Sequence, residues 1–122
     1  MPRAYLTVTI DTECDKGKGW RVEKPLAFRG VTCGVHERLE PLFASYGAKG
    51  TYLVSGEVLD DAASVDVLRR ANADLGTHLH GETVPPDAFV PDVTEAFQRD
   101  YSEAIERAKL TNLTRSFRDA FG

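Results

Sequence analysis

Three short apolar segments, each followed by residues at helical spacing, constrain the fold of this chain more than any other feature. The segments are residues 4–10 (AYLTVTI), 50–54 (GTYLV) and 75–80 (LGTHLH). Their length and their β-branched residues predict buried strands. Strands that alternate with helices are typical of a parallel sheet. The order therefore predicts an α/β fold, a parallel βαβαβα unit, with functional residues at the carboxyl ends of the strands.

The helices between these strands are predicted from apolar residues three and four positions apart. In the first helix we expect Thr32 as the N-cap and Gly47 at the end, with Pro41 either kinking the helix or delaying its start. The second helix is expected over residues 58–68, where five apolar residues recur. Both helices would connect neighbouring parallel strands.

The C-terminal region is predicted to be mostly helical. Residues 81–92 contain three prolines and are expected to form a loop, and residues 93–99 a separate short turn. Leu110, Leu113, Phe117 and Phe121 share one helix face, and Gly122 stands where a helix commonly ends. The last helix is therefore expected from about Ser102 to Phe121.

Composition limits the classes of protein to which the chain can belong. Its 122 residues, 42% of them hydrophobic, suit a single domain, residues 1–122. The net charge is -4 and the 15 basic residues form no cluster, which argues against nucleic acid as a partner. Neither a signal sequence nor an apolar run of membrane-spanning length is visible, so we expect no membrane partner and a cytoplasmic location. Cys14 and Cys33 are expected to be reduced thiols.

Acidic and histidine side chains follow the first and third predicted strands. Asp11 and Glu13 are two residues apart, as are His78 and His80, so each pair would point the same way from extended backbone. Two carboxylates and two imidazoles on one rim suit zinc or a similar divalent ion, with one carboxylate left for proton transfer. The alternative is that these four residues bind no metal and have only structural or surface roles, since acids after strands often cap helices and single histidines are often on the surface.

Four motifs together resemble the polysaccharide deacetylase family of metal-dependent carbohydrate esterases. They are TIDTE at 9–13, FRGVT at 28–32, YGAKGTYLVSGEVL at 46–59 and GTHLHGETVPP at 76–86. The resemblance implies a distorted β/α barrel that hydrolyses the amide bond of N-acetylated sugars or polysaccharide with a divalent metal, zinc above all. A carbohydrate or small amide would be the substrate.

The resemblance also implies roles for individual residues. Asp11 matches the general base, and Glu13 matches a metal ligand that is more usually aspartate. His78 matches the first metal histidine, while the remaining ligand is either His80 or Glu82. His80 is preferred because the HLH form belongs to the branch that the chain most resembles, which leaves Glu82 as a substrate contact.

The resemblance covers the N-terminal half of such a barrel. Family members continue through strands that carry an arginine motif and a late histidine, and Ser116-Phe117-Arg118 is not read as that motif because of its helical spacing. An open barrel edge would favour a homo-oligomer. Two other functions stay open: a non-catalytic fragment that binds a metal or a partner, and a hydrolase of a small cyclic amide.

Overall fold

A three-stranded parallel sheet lies at the centre of the computed structural model, which describes residues 2–88 and 98–122. The strands are β1 (Thr9–Thr12), β2 (Thr51–Val54) and β3 (Asp74–Thr77), in the order β1-β2-β3. Val54 pairs with Thr12 on one side and with Thr77 on the other. All three strands therefore end at the same level, and the predicted α/β class with a parallel sheet is confirmed.

The first strand is shorter and later than the apolar run predicts. The prediction over residues 4–10 is wrong for residues 4–8, of which residues 4–7 are exposed, with Tyr5 86% and Leu6 90% accessible. The physical reason is pairing: β2 begins at Thr51 opposite Thr9, so β1 gains a neighbour only from there on. The third strand likewise ends at Thr77 rather than at residue 80.

Helices connect the three strands, and further helices come after β3 in the chain. They are a π-helix (Gly30–Leu39), α1 (Glu40–Ser45), α2 (Gly56–Leu59), α3 (Ala62–Arg70) and α4 (Glu103–Phe121), with short 3-10 helices at Gly81–Thr83 and Gln98–Asp100. The short turn predicted at 93–99 lies outside the described residues except for its last two positions. The helix predicted over residues 102–121 is confirmed, and Ser102 caps it by accepting a hydrogen bond from the backbone N–H of Ile105.

The first helical segment begins earlier than predicted, and Thr32 is not its cap. The Asp15 carboxylate accepts the backbone N–H groups of Arg29 and Gly30 at 2.9 and 2.8 Å, and so caps the helix from outside. The segment changes from π to α hydrogen bonding just before Pro41, which lacks an N–H to donate. Gly47, with a φ of 59°, follows the helix end, as predicted.

The second predicted helix is divided into α2 and α3. Asp61 ends the turn between them and accepts the backbone N–H of Ser64 at 2.9 Å, which caps α3. The apolar pattern over residues 58–68 is therefore divided between two helices, because Asp61 caps the start of a new one.

Buried apolar side chains fix the helices against the sheet. Tyr52 and Val54 of β2 are fully buried and contact two valines of the π-helix together with Val58 and Leu68. This packing covers the centre of the sheet and leaves the rim at the carboxyl ends of the strands accessible. Within the described residues, no helix is long and apolar enough to cross a bilayer.

Candidate metal site

The residues that follow β1 and β3 lie next to each other at the carboxyl rim of the sheet. Glu13 comes directly after β1, and His78 comes directly after β3. The backbone N–H of His78 donates to the Val54 carbonyl at 2.9 Å, which extends the ladder by one residue and fixes where the histidine segment leaves the sheet. The in-register strand ends therefore bring two distant parts of the sequence to one place.

Glu13, His78 and His80 form a compact group of potential ligands. Oε1 of Glu13 lies 3.2 Å from Nε2 of His78 and 2.9 Å from Nε2 of His80. One donor atom from each of the three residues lies within 4.8 Å of the others. A carboxylate oxygen and two imidazole nitrogens are a common donor set for divalent ions, so this group can hold a metal ion.

Two features of the group fit a metal better than a purely structural role. Around a tetrahedral zinc ion with bonds of roughly 2.1 Å, ligand atoms are roughly 3.4 Å apart. The observed separations of 2.9 and 3.2 Å need only a small adjustment to reach that spacing. Nε2 of His78 is buried, and its 3.2 Å contact with Oε1 of Glu13 does not have hydrogen-bond geometry, so this nitrogen has no hydrogen bond among the described residues and is suited to bind a ligand.

Glu82 lies behind His80, on the side away from Glu13. Oε1 of Glu82 is 2.9 Å from Nδ1 of His80, so the other ring nitrogen, Nε2, faces Glu13. A carboxylate that accepts the second ring N–H of a histidine fixes the orientation of that histidine as a ligand. Of the two alternatives left by the sequence, this geometry favours His80 as the ligand. The substrate contact expected of Glu82 stays a prediction, and its observed contact is with His80.

The charges of the group are strongly coupled in the absence of a metal. Hydrogen bonds with Glu13 and then with Glu82 raise the pKa of His80 to about 10. The bond with His80 and the neighbouring Lys16 lower the pKa of Glu13 to about 2, against the effect of burial. At neutral pH His80 is therefore a cation between two carboxylates, and a metal ion would replace its proton.

Lys16 is a member of this network that the sequence analysis missed. Its Nζ lies 2.8 Å from Oε2 of Glu13, and its side chain is almost completely buried. Burial is the largest single effect and lowers the pKa of Lys16, but the bond with Glu13, the charge of Glu13 and the other nearby acidic groups together outweigh it and raise the pKa. The only sequence signal was the three-residue spacing of an acid and a base, which is too common to indicate a site.

Asp11 borders the same cleft but stands slightly apart from the three potential ligands. Its Oδ1 is 3.8 Å from Nδ1 of His78, and its side chain is 59% exposed. The cleft has a volume of about 590 Å³ and is lined by Asp11, Glu13, Cys14, Asp15, Lys16, Trp20, His78 and His80. Asp11 is thus a carboxylate that solvent and a ligand can reach beside the metal-binding group.

The backbone after Glu13 is tied down by a buried acid that the sequence analysis also missed. Oε1 of Glu57, at the start of α2, accepts the backbone N–H of Cys14 at 3.0 Å. Burial, and then the Glu57 charge, raise the pKa of the Cys14 thiol to about 11. A protonated, buried thiol is a poor nucleophile, which argues against cysteine chemistry at this site.

The loop after the histidines is fixed by Lys109 of α4. Its ammonium group donates to the carbonyl oxygens of Gly81 and Val84, at 2.8 and 2.7 Å, and to that of Pro86. Burial lowers the pKa of Lys109, whose exposed fraction is 1%. No sequence pattern indicated this contact, since its partners are backbone atoms.

Comparison of the chain with models of known protein families, with curated proteins and with solved structures gives no match. The resemblance of its motifs to polysaccharide deacetylases therefore stays a prediction. The observation from which a function can be argued is the group of Glu13, His78 and His80 in an accessible cleft.

Proposed function

We propose that the chain is a metal-dependent hydrolase of carbon–nitrogen amide bonds that deacetylates N-acetylated sugars, with zinc as its metal. The proposal includes the fold prediction that this α/β unit is part of a polysaccharide deacetylase-like barrel. One observation carries it: a carboxylate and two imidazole nitrogens converge in a cleft, and a second carboxylate, Asp11, borders the same space.

Each residue of the group has a distinct chemical task in this proposal. Glu13, His78 and His80 hold the ion, and Glu82 orients His80 through its Nδ1–H. When bound, a divalent metal supplies Lewis acidity, which lowers the pKa of water and polarises a carbonyl group. The mixed nitrogen and oxygen donors favour zinc over calcium or magnesium, which prefer oxygen alone.

Asp11 carries the proton transfer. Its carboxylate is accessible and lies next to the group without being one of the three converging ligands, so it can accept a proton from water at the amide carbon. Returning that proton to the leaving nitrogen completes the hydrolysis, with one water consumed and acetate and an amine released. Lys16 neutralises Glu13 from the side opposite the histidines and keeps that carboxylate ionised.

The test is release of acetate by the zinc-loaded chain from the trisaccharide of β-1,4-linked N-acetylglucosamine. We expect Asp11→Asn to keep its zinc and to lose about 10²–10⁴-fold in kcat, because only the base is removed. Asp66→Asn, an exposed acid on α3, is the matched control and should keep the rate.

The outcomes separate the proposal from the other two functions. Zinc binding without acetate release points to a non-catalytic metal-binding fragment. Ring opening of hydantoin, without acetate release from the sugar, assigns the site to small cyclic amides. A protein that binds no zinc at all would contradict the proposal altogether.

A further inference from the structure

The single tryptophan of the chain stands exposed at the edge of the metal cleft. Trp20 is 80% accessible and lines the cleft together with Glu13, His78 and His80. Single exposed aromatic residues are common on protein surfaces, but this indole borders a cleft that contains potential metal ligands, where its apolar face can contact a bound molecule. The location of this ring is therefore a candidate for ligand contact.

A tight hairpin fixes the position of this tryptophan. The backbone N–H of Gly17 donates to the Arg21 carbonyl at 2.8 Å, and that of Trp20 donates to the Gly17 carbonyl at 3.1 Å. Gly19, with a φ of 72°, occupies the third position of the turn, where glycine is strongly preferred. The indole thus extends from a short turn with defined hydrogen bonds.

The backbone of Trp20 itself has an unusual conformation. Its φ is 61°, in the left-handed region that bulky residues rarely adopt. Strain of this kind is concentrated at binding and active sites, where the surrounding structure holds the residue in place. Both the exposure and the strain are explained if the indole makes its contact with a bound molecule.

The remaining lining of the cleft identifies the chemical class of that molecule. Among the residues that the structure describes, the rest of the lining, apart from Trp20 and the buried Cys14, is charged or imidazole: Asp11, Glu13, Asp15, Lys16, His78 and His80. A matching ligand has one apolar face and hydrogen-bonding groups around the rest. Pyranose rings have this character, since one face presents C–H groups and the edges carry hydroxyls, whereas a flat aromatic ligand would leave the polar lining without partners.

We propose that Trp20 forms a stacking subsite for a pyranose ring of the substrate, which positions the N-acetyl group toward Glu13, His78 and His80. The identity of the amide rests on the proposed function; the stacking of a sugar ring on Trp20 does not. Because the chain has no other tryptophan, its fluorescence reports on this one position.

The experiment follows binding of the trisaccharide of N-acetylglucosamine to the zinc-loaded chain. We expect a saturable blue shift of the tryptophan emission, because the sugar displaces water from the indole face. By calorimetry, Trp20→Ala should bind the trisaccharide at least about tenfold more weakly, while Trp20→Phe, which keeps an aromatic face, should recover most of the affinity. All variants should bind zinc as the wild type does.

The matched control is Tyr46→Ala. Tyr46 is 81% exposed and lies outside the cleft, so its loss should leave sugar affinity unchanged. The subsite is overturned if the wild type does not bind the trisaccharide, if binding leaves the emission unaltered, or if Trp20→Ala binds as tightly as the wild type.

Kinetics distinguish failure of the subsite from failure of the proposed function. If acetate is released and Trp20→Ala raises KM with kcat unchanged, both are supported. If the sugar binds through Trp20 and no acetate is released, the hydrolase is wrong and the subsite stands. If acetate is released and Trp20→Ala changes neither KM nor affinity, the hydrolase stands and the subsite is wrong.

Discussion

Two clusters of polar contacts adjoin the loop that follows β3: Lys109 with its backbone partners, and the partly buried group of Glu13, His78 and His80. They differ in how completely their atoms are paired. Lys109 has three N–H donors and three backbone carbonyls to accept them. In the cluster of Glu13, His78 and His80, Oε2 of Glu13 is paired with Lys16, but Nε2 of His78 is buried without a hydrogen bond among the described residues. A cluster whose donors and acceptors match stabilises the fold, whereas one with surplus ligand atoms has the capacity to bind an ion.

The two clusters are also joined through the backbone. Gly81, whose carbonyl Lys109 binds, comes directly after His80 and directly before Glu82. Lys109 therefore holds the loop at the point where the ligand segment ends. We therefore expect changes to Glu13, His78 or His80 to alter mainly the metal affinity. Changes to Lys109 should alter mainly the stability of the fold.

The largest expected effect is on metal binding when both histidines are removed. His78→Ala combined with His80→Ala leaves Glu13 as the only member of the group, so zinc affinity should fall by at least about a thousandfold, or about 4 kcal/mol. Competition with a chromophoric chelator measures this loss. His36→Ala, which removes an exposed histidine of the π-helix, should keep the wild-type affinity. Equal zinc binding by the double variant and the control would show that the ion binds elsewhere.

The next effect is on stability when Lys109 is replaced by methionine. Lys109→Met leaves three carbonyls, two of them buried and one partly buried, without their donor, and we expect the free energy of unfolding to fall by about 3 kcal/mol. Urea denaturation of the metal-free protein measures this change. Lys49→Met, which breaks only the exposed pair with Asp74, should cost about 0.5 kcal/mol or less.

Lys109→Met also tests whether the cluster that stabilises the fold is independent of the cluster that binds the metal. Zinc affinity in Lys109→Met should change by less than about tenfold, because no ligand atom is lost. A fall as large as that of the double histidine variant would contradict the division into a structural and a binding cluster.

The smallest effect is the pH dependence of the metal-free protein. The pKa of His80 is raised from 6.5 to about 10, so its protonated form stabilises the folded chain. That contribution is complete below about pH 6.5 and is lost as the pH rises through 10. Since one third of the His80 side chain is exposed, solvent screening limits the contribution to about 1–2 kcal/mol.

Other groups titrate over the same pH range, so the contribution of His80 is measured as the difference in unfolding free energy between the wild type and a variant that lacks this histidine. Unfolding free energies of the wild type and of His80→Gln, each at pH 6 and pH 10 with a chelator present, should converge at the higher pH. Parallel pH profiles of the two proteins would contradict the coupling of His80 to Glu13 and Glu82.

The sequence predicted the parts of the molecule that depend on local patterns and on the direction of parallel strands. The two pairs at the carboxyl ends of β1 and β3 could be placed on one rim because parallel strands end on the same side. The start of α4 was predicted because Ser102 is a local cap, three residues before the N–H that it accepts. His80 was preferred over Glu82 because of the resemblance, and the structure adds that Nε2 of His80 faces Glu13 while Glu82 contacts the other ring nitrogen.

Apart from the local pair of Lys16 with Glu13 and the Asp61 cap of α3, the contacts that the sequence did not predict join residues far apart in the chain. Asp15 caps a helix 14 residues away, Lys109 binds a carbonyl 28 residues away, and Glu57 binds the N–H of Cys14 across 43 residues. Each partner on the other side is a backbone group, which every residue carries. No pattern of side chains can therefore identify such pairs before the fold is known.

Two contacts hold the backbone that follows Glu13, and they affect how the site would gain and lose an ion. Glu57 holds the N–H of Cys14, and Asp15 holds the helix N-terminus, so Glu13 is positioned by the fold itself. Small zinc domains unfold when a chelator removes their metal, because the ion is their main cross-link. Here the ion would exchange reversibly, and stripping and reloading it would leave the secondary structure unchanged.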